Sequence, residues 1–533
     1  MEALDKLKNI FLWIKNRKNE EKIFSDIKNS FTENGRLIYV GNILKIAYQK
    51  FANSPALIGD DKTINYKEFY YRSILLSKKL KDKGITPRDK VLLFYENSIQ
   101  FYIAYFAIWQ VGAVVVPLNV FLHQKELAHI VKDSEARFAI VSESLKEKWD
   151  KLKKESLVEK LPLTLSDNDI DMQLSVPDII EDFEIENLDE NELCLLLYTS
   201  GTTGLPKGVM LSCKNVLINA LQSYSRLKIF GHKQKERFFS VLPLFHVFAQ
   251  NTCMWLPIIS GASIIIVPKI DRKLILQGLQ KKPTLFFGFP ALYGLLCLLK
   301  TAPLDSIRLF VSGADMLPDK IRMAFATIYG RKICSGYGLT EASPVVAFSF
   351  ENSTYATDVV GHPVVGMQCQ IRDEQGNILS TNKPGTLWVK GDNVMLGYYK
   401  APLATNKILK DGWLNTGDLA QIDETGRLAI QGRSKDLIIH KGFNIYPQEI
   451  ENILMSHPAV IKAAVIGREE PLAGQIPVAY LAVRSSGQDV EKSLRELCAS
   501  NLAQYKIPKK FVCLDDLPMN ATGKVDKKQL MNI

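Results

Sequence analysis

Short apolar runs alternate with longer amphipathic stretches along most of the chain. VLLFYE (91–96) has the pattern of a buried strand. SIQFYIAYFAIWQVG (98–112) is apolar on every face and ends at glycine, which predicts a buried helix, and AVVVPLN (113–119) predicts a second buried strand. HQKELAHIVKDS (123–134) carries helical spacing and leads into the strand-like ARFAIVSE (136–143). The order returns in GASIIIVPK (261–269), DRKLILQGLQKK (271–282) and TLFFGF (284–289). Such alternation predicts an α/β fold, with mixed, largely parallel sheets layered with helices. Residues 145–190 are polar with a weak pattern and read as a surface excursion.

From about Gly361 the texture changes to short strands and turns, in QCQIRDEQGNIL (368–379), GTLWVKG (385–391) and GRLAIQGR (426–433). This predicts a small β-rich subdomain within the large N-terminal domain. After Gly432 a helix, YPQEIENILMSHP, leads to the strands IKAAVIGRE and IPVAYLAVR, a second helix and the strand KKFVCLDDLP. These make a compact α+β domain of about a hundred residues, an ordinary domain size. The joint, QGRSKDLI (431–438), is not a long Pro/Gly/Ser linker and should be short and directional. The expected organisation is an N-terminal domain over 1–432, a hinge at 433–435 and a C-terminal domain over 436–533.

Composition narrows the classes of function. A chain of 533 residues is too long for one core. Its 47% hydrophobic and 23% charged content is that of a soluble globular protein. The net charge of +10 comes from basic residues spread along the chain, which argues against nucleic acid and for anionic ligands or an anionic membrane surface. The eight cysteines form no CxxC pair and several sit in apolar runs, so reduced thiols and a cytoplasmic location are expected. No metal-ligand spacing occurs among the seven histidines. Asn97 to Leu122 is uncharged and long enough to span a bilayer, but Gln100, Gln110, Gly112, Pro117 and Asn119 interrupt it and favour the soluble reading. At the N-terminus the apolar core Ile10 to Ile14 is too short for a signal peptide. Leu4, Leu7, Phe11 and Ile14 share one helical face, which leaves open peripheral membrane contact or packing on the protein itself.

The densest chemistry lies in YTSGTTGLPKG, Tyr198 to Gly208, directly after the apolar run Leu193 to Leu197. Glycines admit close backbone approach, hydroxyls donate and a lysine adds charge, which is how a loop gathers around phosphate oxygens. Lys207 is followed by Gly208 rather than Ser or Thr, so this is not a Walker A loop.

Taken whole, the eleven residues resemble the phosphate-loop signature of the adenylate-forming superfamily: acyl-CoA synthetases, peptide-synthetase adenylation domains and luciferases. The resemblance continues in order through GYGLTEASP (336–344), the ribose-binding motif in GWLNTGDLA (412–420), the hinge in GRSKDLIIHKGFNIYPQEIE (432–451) and the catalytic-lysine motif in NATGKVDKKQL (520–530). It implies ATP and Mg²⁺, with CoA as co-substrate, and a small domain that moves. Thr199, Ser200, Thr202, Thr203 and Lys207, with Gly201 and Gly204 giving access, would grip the β and γ phosphates. Thr340 would touch the α-phosphate, and Glu341 with Thr199 would hold Mg²⁺. Gly336, Tyr337, Gly313, Ala314 and Asp315 would surround adenine, Asp315 standing where the family more often has a small residue. Asp418 would accept both ribose hydroxyls, and Arg433 would reach ribose or phosphate. Lys524 would neutralise charge on the α-phosphorus, then leave as the small domain turns about Lys435 and brings the Gly442 face in to wall a thiol channel.

His246, in LPLFHVFAQN (242–251), resembles the family's gate residue beside the substrate carboxylate. No acid occurs from Val241 to Ile270, which argues against amino acids. The acyl pocket is expected to be walled by His246, Val247, Gln250, GFPALY (288–293) and SPVVAF (343–348), and to suit a medium or long alkyl chain. Resemblance is strongest to bacterial long-chain fatty-acid–CoA ligases. No carrier domain follows the lysine motif, so CoA is the expected acceptor; an acyl carrier protein in trans, an aryl acid as substrate and a homodimer stay open.

Overall fold

The computed structural model describes every residue except 1, 171–175, 178–179, 181–182, 200–205, 232–234, 350–357, 441–442, 471–473, 485–487 and 520–523; for 2–14, 168–169, 439, 443–444, 474 and 488 it describes the backbone alone.

Two sheets organise the large domain. The first has seven strands, with Leu193–Thr199, Val114–Pro117, Lys90–Phe94, Phe138–Val141 and Leu163–Leu165 parallel to one another in that order. Lys207–Ser212 and then Gly397–Tyr398 add antiparallel strands at the other edge. Helix Ile99–Gln110 is buried all round, as its unbroken apolar pattern requires. Its Gln110 is satisfied by Ser73 and Ser77, at 3.0 and 2.8 Å. No helix among the described residues is long and apolar enough to cross a membrane.

The second sheet has fourteen strands and changes character partway. Pro55–Ile58, Ser263–Ile266, Arg237–Ser240, Leu285–Gly288, Leu309–Ser312 and Cys334–Gly338 run parallel. From Val345–Phe348 onward the pairing is antiparallel, through Val359–Pro363, Leu428–Arg433, Trp413–Ile422, Gly385–Lys390 and Gln368–Arg372. The β-rich region begins at Val359–Pro363, close to the change of texture at Gly361, and it joins the parallel strands through the reversal after Gly338.

The surface excursion expected at 145–190 is corrected in part. It contains helix Lys146–Lys154 and the edge strand Leu163–Leu165. Trp149, Leu152, Val158, Leu165 and Ile170 are buried. These few apolar positions, scattered among charges, close the sheet edge without making a periodic pattern.

The N-terminal helix runs from Glu2 to Asn29. The side chains of Leu4, Leu7, Phe11 and Ile14 lie outside the described residues. Farther along, Glu20 is buried and pairs with Arg226 at 2.7 Å, and Arg226 also donates to the carbonyls of Phe348 and Pro363 at 2.8 and 2.9 Å. This half of the helix packs on its own protein. Removing either charge would leave the other buried, a loss of about 3–5 kcal/mol.

After the turn at Ser434–Asp436 a five-stranded sheet forms around the hairpin Val460–Glu470 and Gly474–Val483, with Lys510–Leu514 parallel to the latter. Helices Pro447–Ser456 and Gln488–Asn501 accompany this sheet. Lys320, on the large domain, donates to the carbonyls of His457 and Val460 at 3.1 and 3.2 Å, and Asn452 contacts the Met316 sulfur at 3.3 Å.

Candidate active site

The glycine-rich stretch lies between two antiparallel strands, Leu193–Thr199 and Lys207–Ser212, in which Thr199 pairs with Lys207. Ser200, Gly201, Thr202, Thr203 and Gly204 fall outside the described residues. Gly208 is glycine for a packing reason: a Cβ there would come within 2.9 Å of Leu196 and 3.2 Å of Tyr399. Tyr398 belongs to the next strand, paired with Val209, and the Lys207 ammonium sits 5.8 Å from the centre of its ring.

Glu341 stands on a single helical turn, Thr340–Ala342, where Cys334–Gly338 reverses into Val345–Phe348. The reversal is so tight that a Cβ on Gly338 would lie 2.2 Å from the Pro344 carbonyl oxygen. Tyr398 donates its hydroxyl to Glu341 Oε1 at 2.8 Å, which brings the Lys207 strand and the Glu341 turn to one place. Among the described residues no group of three or more His, Cys, Asp or Glu side chains is arranged to hold a metal ion. The single Glu341 carboxylate would suit Mg²⁺, a cation that keeps few protein ligands.

Asp418 is 4% exposed, in the middle of Trp413–Ile422. Its two oxygens are held separately. Arg433, its register partner on the next strand, approaches Oδ1 at 2.8 Å, and the Tyr337 hydroxyl donates to Oδ2. Burial raises the Asp418 carboxyl, against the pull of Arg433 and the Tyr337 hydrogen bond, and the carboxylate in turn raises the Arg433 guanidinium. A carboxylate with both oxygens already oriented is suited to a pair of neighbouring hydroxyls.

His246 caps the helix Val247–Gln250. Its Nδ1 accepts from the Phe248 N–H at 3.2 Å, so a neutral ring carries its proton on Nε2. Burial, aided by the charge of Lys524, pushes the imidazole down to about 4. The same Lys524 lowers the Asp418 carboxyl. The charge of Lys524 on the small domain is thus felt at both His246 and Asp418. Behind His246 the chain passes through the π-helical Asn251–Trp255 into Leu256–Ser260, all buried and without an ionisable side chain apart from the Cys253 thiol.

Gly313 leaves the strand Leu309–Ser312 with its Cα face against the Phe248 ring, 3.1 Å from where a Cβ would sit. Ala314 follows with φ of 68°, a conformation that favours glycine. The Asp315 side chain is exposed and accepts from the Met316 N–H at 2.9 Å. A Cβ on Gly336 would meet Phe348 at 3.3 Å. Lys435 is exposed on the turn Ser434–Asp436, and Gly442 lies outside the described residues.

One expected pocket wall, Gly288, is corrected. Gly288 turns its Cα face toward Phe286, Tyr293 and Leu292, at 3.1–3.3 Å, so it faces a core layer, because strand alternation puts residue 288 on the side of Phe286. Gln250 is buried and committed to Tyr105 and the Leu244 carbonyl, both at 2.9 Å. Sequence reasoning misses Phe248 and Tyr398. Phe248 is within its reach, two residues after His246; Tyr398 meets Glu341 across 57 positions and gives no local signal.

The profile of the AMP-binding enzyme family matches residues 44–399, and that of the AMP-binding enzyme C-terminal domain matches 449–524. A long-chain-fatty-acid–CoA ligase of Escherichia coli O157:H7 is 30% identical over 516 residues, covering 90% of this chain and 92% of the relative. 4-Coumarate–CoA ligase 1 of Arabidopsis thaliana is 29% identical, covering 92% and 93%. Among solved structures, o-succinylbenzoate coenzyme A synthetase of Bacillus subtilis with ATP and magnesium superposes with a TM-score of 0.81 at 29% identity, covering 92% of this chain and 99% of that one.

Proposed function

The chain belongs to the AMP-binding enzyme family, and we propose that within it the protein activates a medium- to long-chain fatty acid as the acyl adenylate, releasing pyrophosphate, and then transfers the acyl group to CoA. It is an acid–thiol ligase that uses ATP, magnesium and CoA. The observation that carries the substrate reading is the buried segment behind His246, which offers no carboxylate to meet an amino group. An alkyl chain gains about 0.8 kcal/mol for each buried CH₂, which such a lining supplies.

Asp418 takes the ribose hydroxyls, exchanging its bonds to Tyr337 and Arg433 for bonds to the ligand. Lys207 and the hydroxyls beside it grip the phosphates. Magnesium, when bound, draws charge from those phosphates, and Glu341 with Thr199 would hold it. His246, neutral over the working pH range, donates from Nε2 to the substrate carboxylate and holds it toward the α-phosphorus. Lys524, whose charge is felt at His246 and Asp418, neutralises the charge that grows as the carboxylate attacks. For the thioester step the small domain swings about Lys435, which removes Lys524 and brings the Gly442 face to the thiol path.

ATP–pyrophosphate exchange over a panel of fatty, aryl and amino acids tests the reading. Exchange should rise with alkyl chain length to a limit and stay at background for amino acids. A better rate with an aryl acid would favour the activity named for the coumarate relative. Thioester formed only on an added acyl carrier protein would move the acceptor away from CoA.

A further inference from the structure

We propose that Tyr398 is a positioning residue, orienting the Glu341 carboxylate toward the magnesium ion that accompanies ATP; the proposal rests on the metal-side reading of Glu341 given above.

The segment Asn393 to Tyr398 clamps the Thr340–Ala342 turn. Asn393, fully buried, donates from Nδ2 to the Ala342 carbonyl at 2.8 Å. The Met395 N–H donates to the Glu341 carbonyl at 2.9 Å. The backbone that carries Glu341 is thus fixed at two successive carbonyls, and the Tyr398 hydroxyl then fixes the side chain through Oε1 at 2.8 Å. Holding one carboxylate oxygen turns the other toward a cation and removes the rotamer search from the binding step. Hydrogen-bond partners of metal-binding carboxylates act in this way generally, and losing one weakens the metal about 10- to 100-fold.

Tyr398 is well placed for this task. Its backbone pairs with Val209, two residues beyond Lys207, and the Lys207 ammonium lies over its ring. One phenol therefore sets the distance between the lysine at the phosphates and the carboxylate at the cation. The ring serves Lys207 and the hydroxyl serves Glu341, so the two contributions can be separated by removing one oxygen atom.

Tyr398→Phe keeps the ring and loses the hydroxyl. Mn²⁺ binding to the full-length chain with a non-hydrolysable ATP analogue, followed by electron paramagnetic resonance without any acid present, should weaken about tenfold. The Mg²⁺ concentration for half-maximal ATP–pyrophosphate exchange should rise by a similar factor, with the rate largely recovered at saturating Mg²⁺. Glu341→Gln should weaken Mn²⁺ more, and adding Tyr398→Phe to it should change binding less than about twofold, because the hydroxyl acts through the carboxylate. Unchanged Mn²⁺ binding in Tyr398→Phe, with Glu341→Gln still defective, overturns the proposal and leaves the Glu341 reading standing. Unchanged binding in both variants removes the Glu341 reading and the proposal with it. A full tenfold loss from Tyr398→Phe in the Glu341→Gln background also overturns it, since the phenol would then act by another route.

Discussion

Asp418, on the large domain, has its two oxygens held by donors fixed on separate strands, whereas Lys524, whose charge is felt at Asp418, sits on the small domain, which docks through a few polar contacts. The carboxylate is 4% exposed and paired within a continuous sheet. The lysine is half-buried, and its domain meets the large one through the Lys320 ammonium on two carbonyls and through Asn452 on Met316. On the proposed mechanism, recognition of the nucleotide is built into the sheet, and the charge that serves one step is carried on a separate domain that would be withdrawn. A site that must run two reactions in turn gains from that division, because only the removable group has to change.

Removing Lys524 should break the comparison most sharply. Lys524→Ala should lose adenylation by two to three orders of magnitude, on the order of 3–4 kcal/mol of transition-state stabilisation. Given preformed acyl-AMP and CoA, the variant should still make thioester near the parent rate. Lys435→Pro should do the reverse. Proline suits the φ of the short helical turn at Ser434–Asp436 and resists rotation, so adenylate should form and thioester should not. Equal loss of both steps in a folded Lys524→Ala protein would remove domain alternation from the account.

On the fixed side, Asp418→Ala leaves Arg433 without its close carboxylate. Arg433 is half exposed and can turn to water, so stability should fall by no more than about 1–2 kcal/mol, while AMP binding by calorimetry should fall clearly. Retained AMP affinity would show that the ribose is held elsewhere.

Acidification probes the same boundary. Burial holds His246 and His362 down to about 4, below an ordinary value of 6.5. A group depressed on folding takes up its proton more readily when unfolded. Stability from these histidines is therefore complete above pH 6.5 and is lost as pH falls from there toward 4, at up to about 1.4 kcal/mol per pH unit for each. Denaturant titrations across this window should steepen by one histidine's share less in His362→Gln. An unchanged slope would mean that His362 is not held neutral.

The smallest effect is expected at the dock. Lys320→Ala removes a cation from the carbonyls of His457 and Val460 and should slow adenylation about fivefold, the worth of roughly one hydrogen bond, without slowing the thioester step. Slowing of both steps alike would count against Lys320 as a contact particular to this arrangement.

Much of the fold is legible in the amino-acid sequence alone. Periodicity places the strands at 91–96, 136–143, 261–269 and 284–289, because buried parallel strands leave unbroken apolar runs. Asp418 and Arg433 stand in recognisable motifs, yet nothing local says that they face each other, nor that Tyr337, 81 positions away, completes the set. The same limit hides Tyr398 from Glu341. Gly288 fails for a different reason: its segment reads as a wall, but which face of a strand looks into a pocket depends on register, and one residue reverses it. Helix Lys146–Lys154 escapes because Trp149 and Leu152 are its only buried side chains.

The continuity of the fourteen-stranded sheet has a consequence for how the molecule comes apart. The antiparallel strands that carry Asp418 and Arg433 share hydrogen-bonded edges with the parallel strands through Val345–Phe348 and Val359–Pro363. They should not melt by themselves. The small domain has its own apolar clusters, around Ile450, Leu454 and Leu494 and around Ile466, Tyr480 and Leu530. Heating should therefore give two cooperative transitions rather than three, with amide protons of Trp413–Ile422 exchanging together with those of Leu309–Ser312, and those of Val460–Glu470 exchanging earlier and apart.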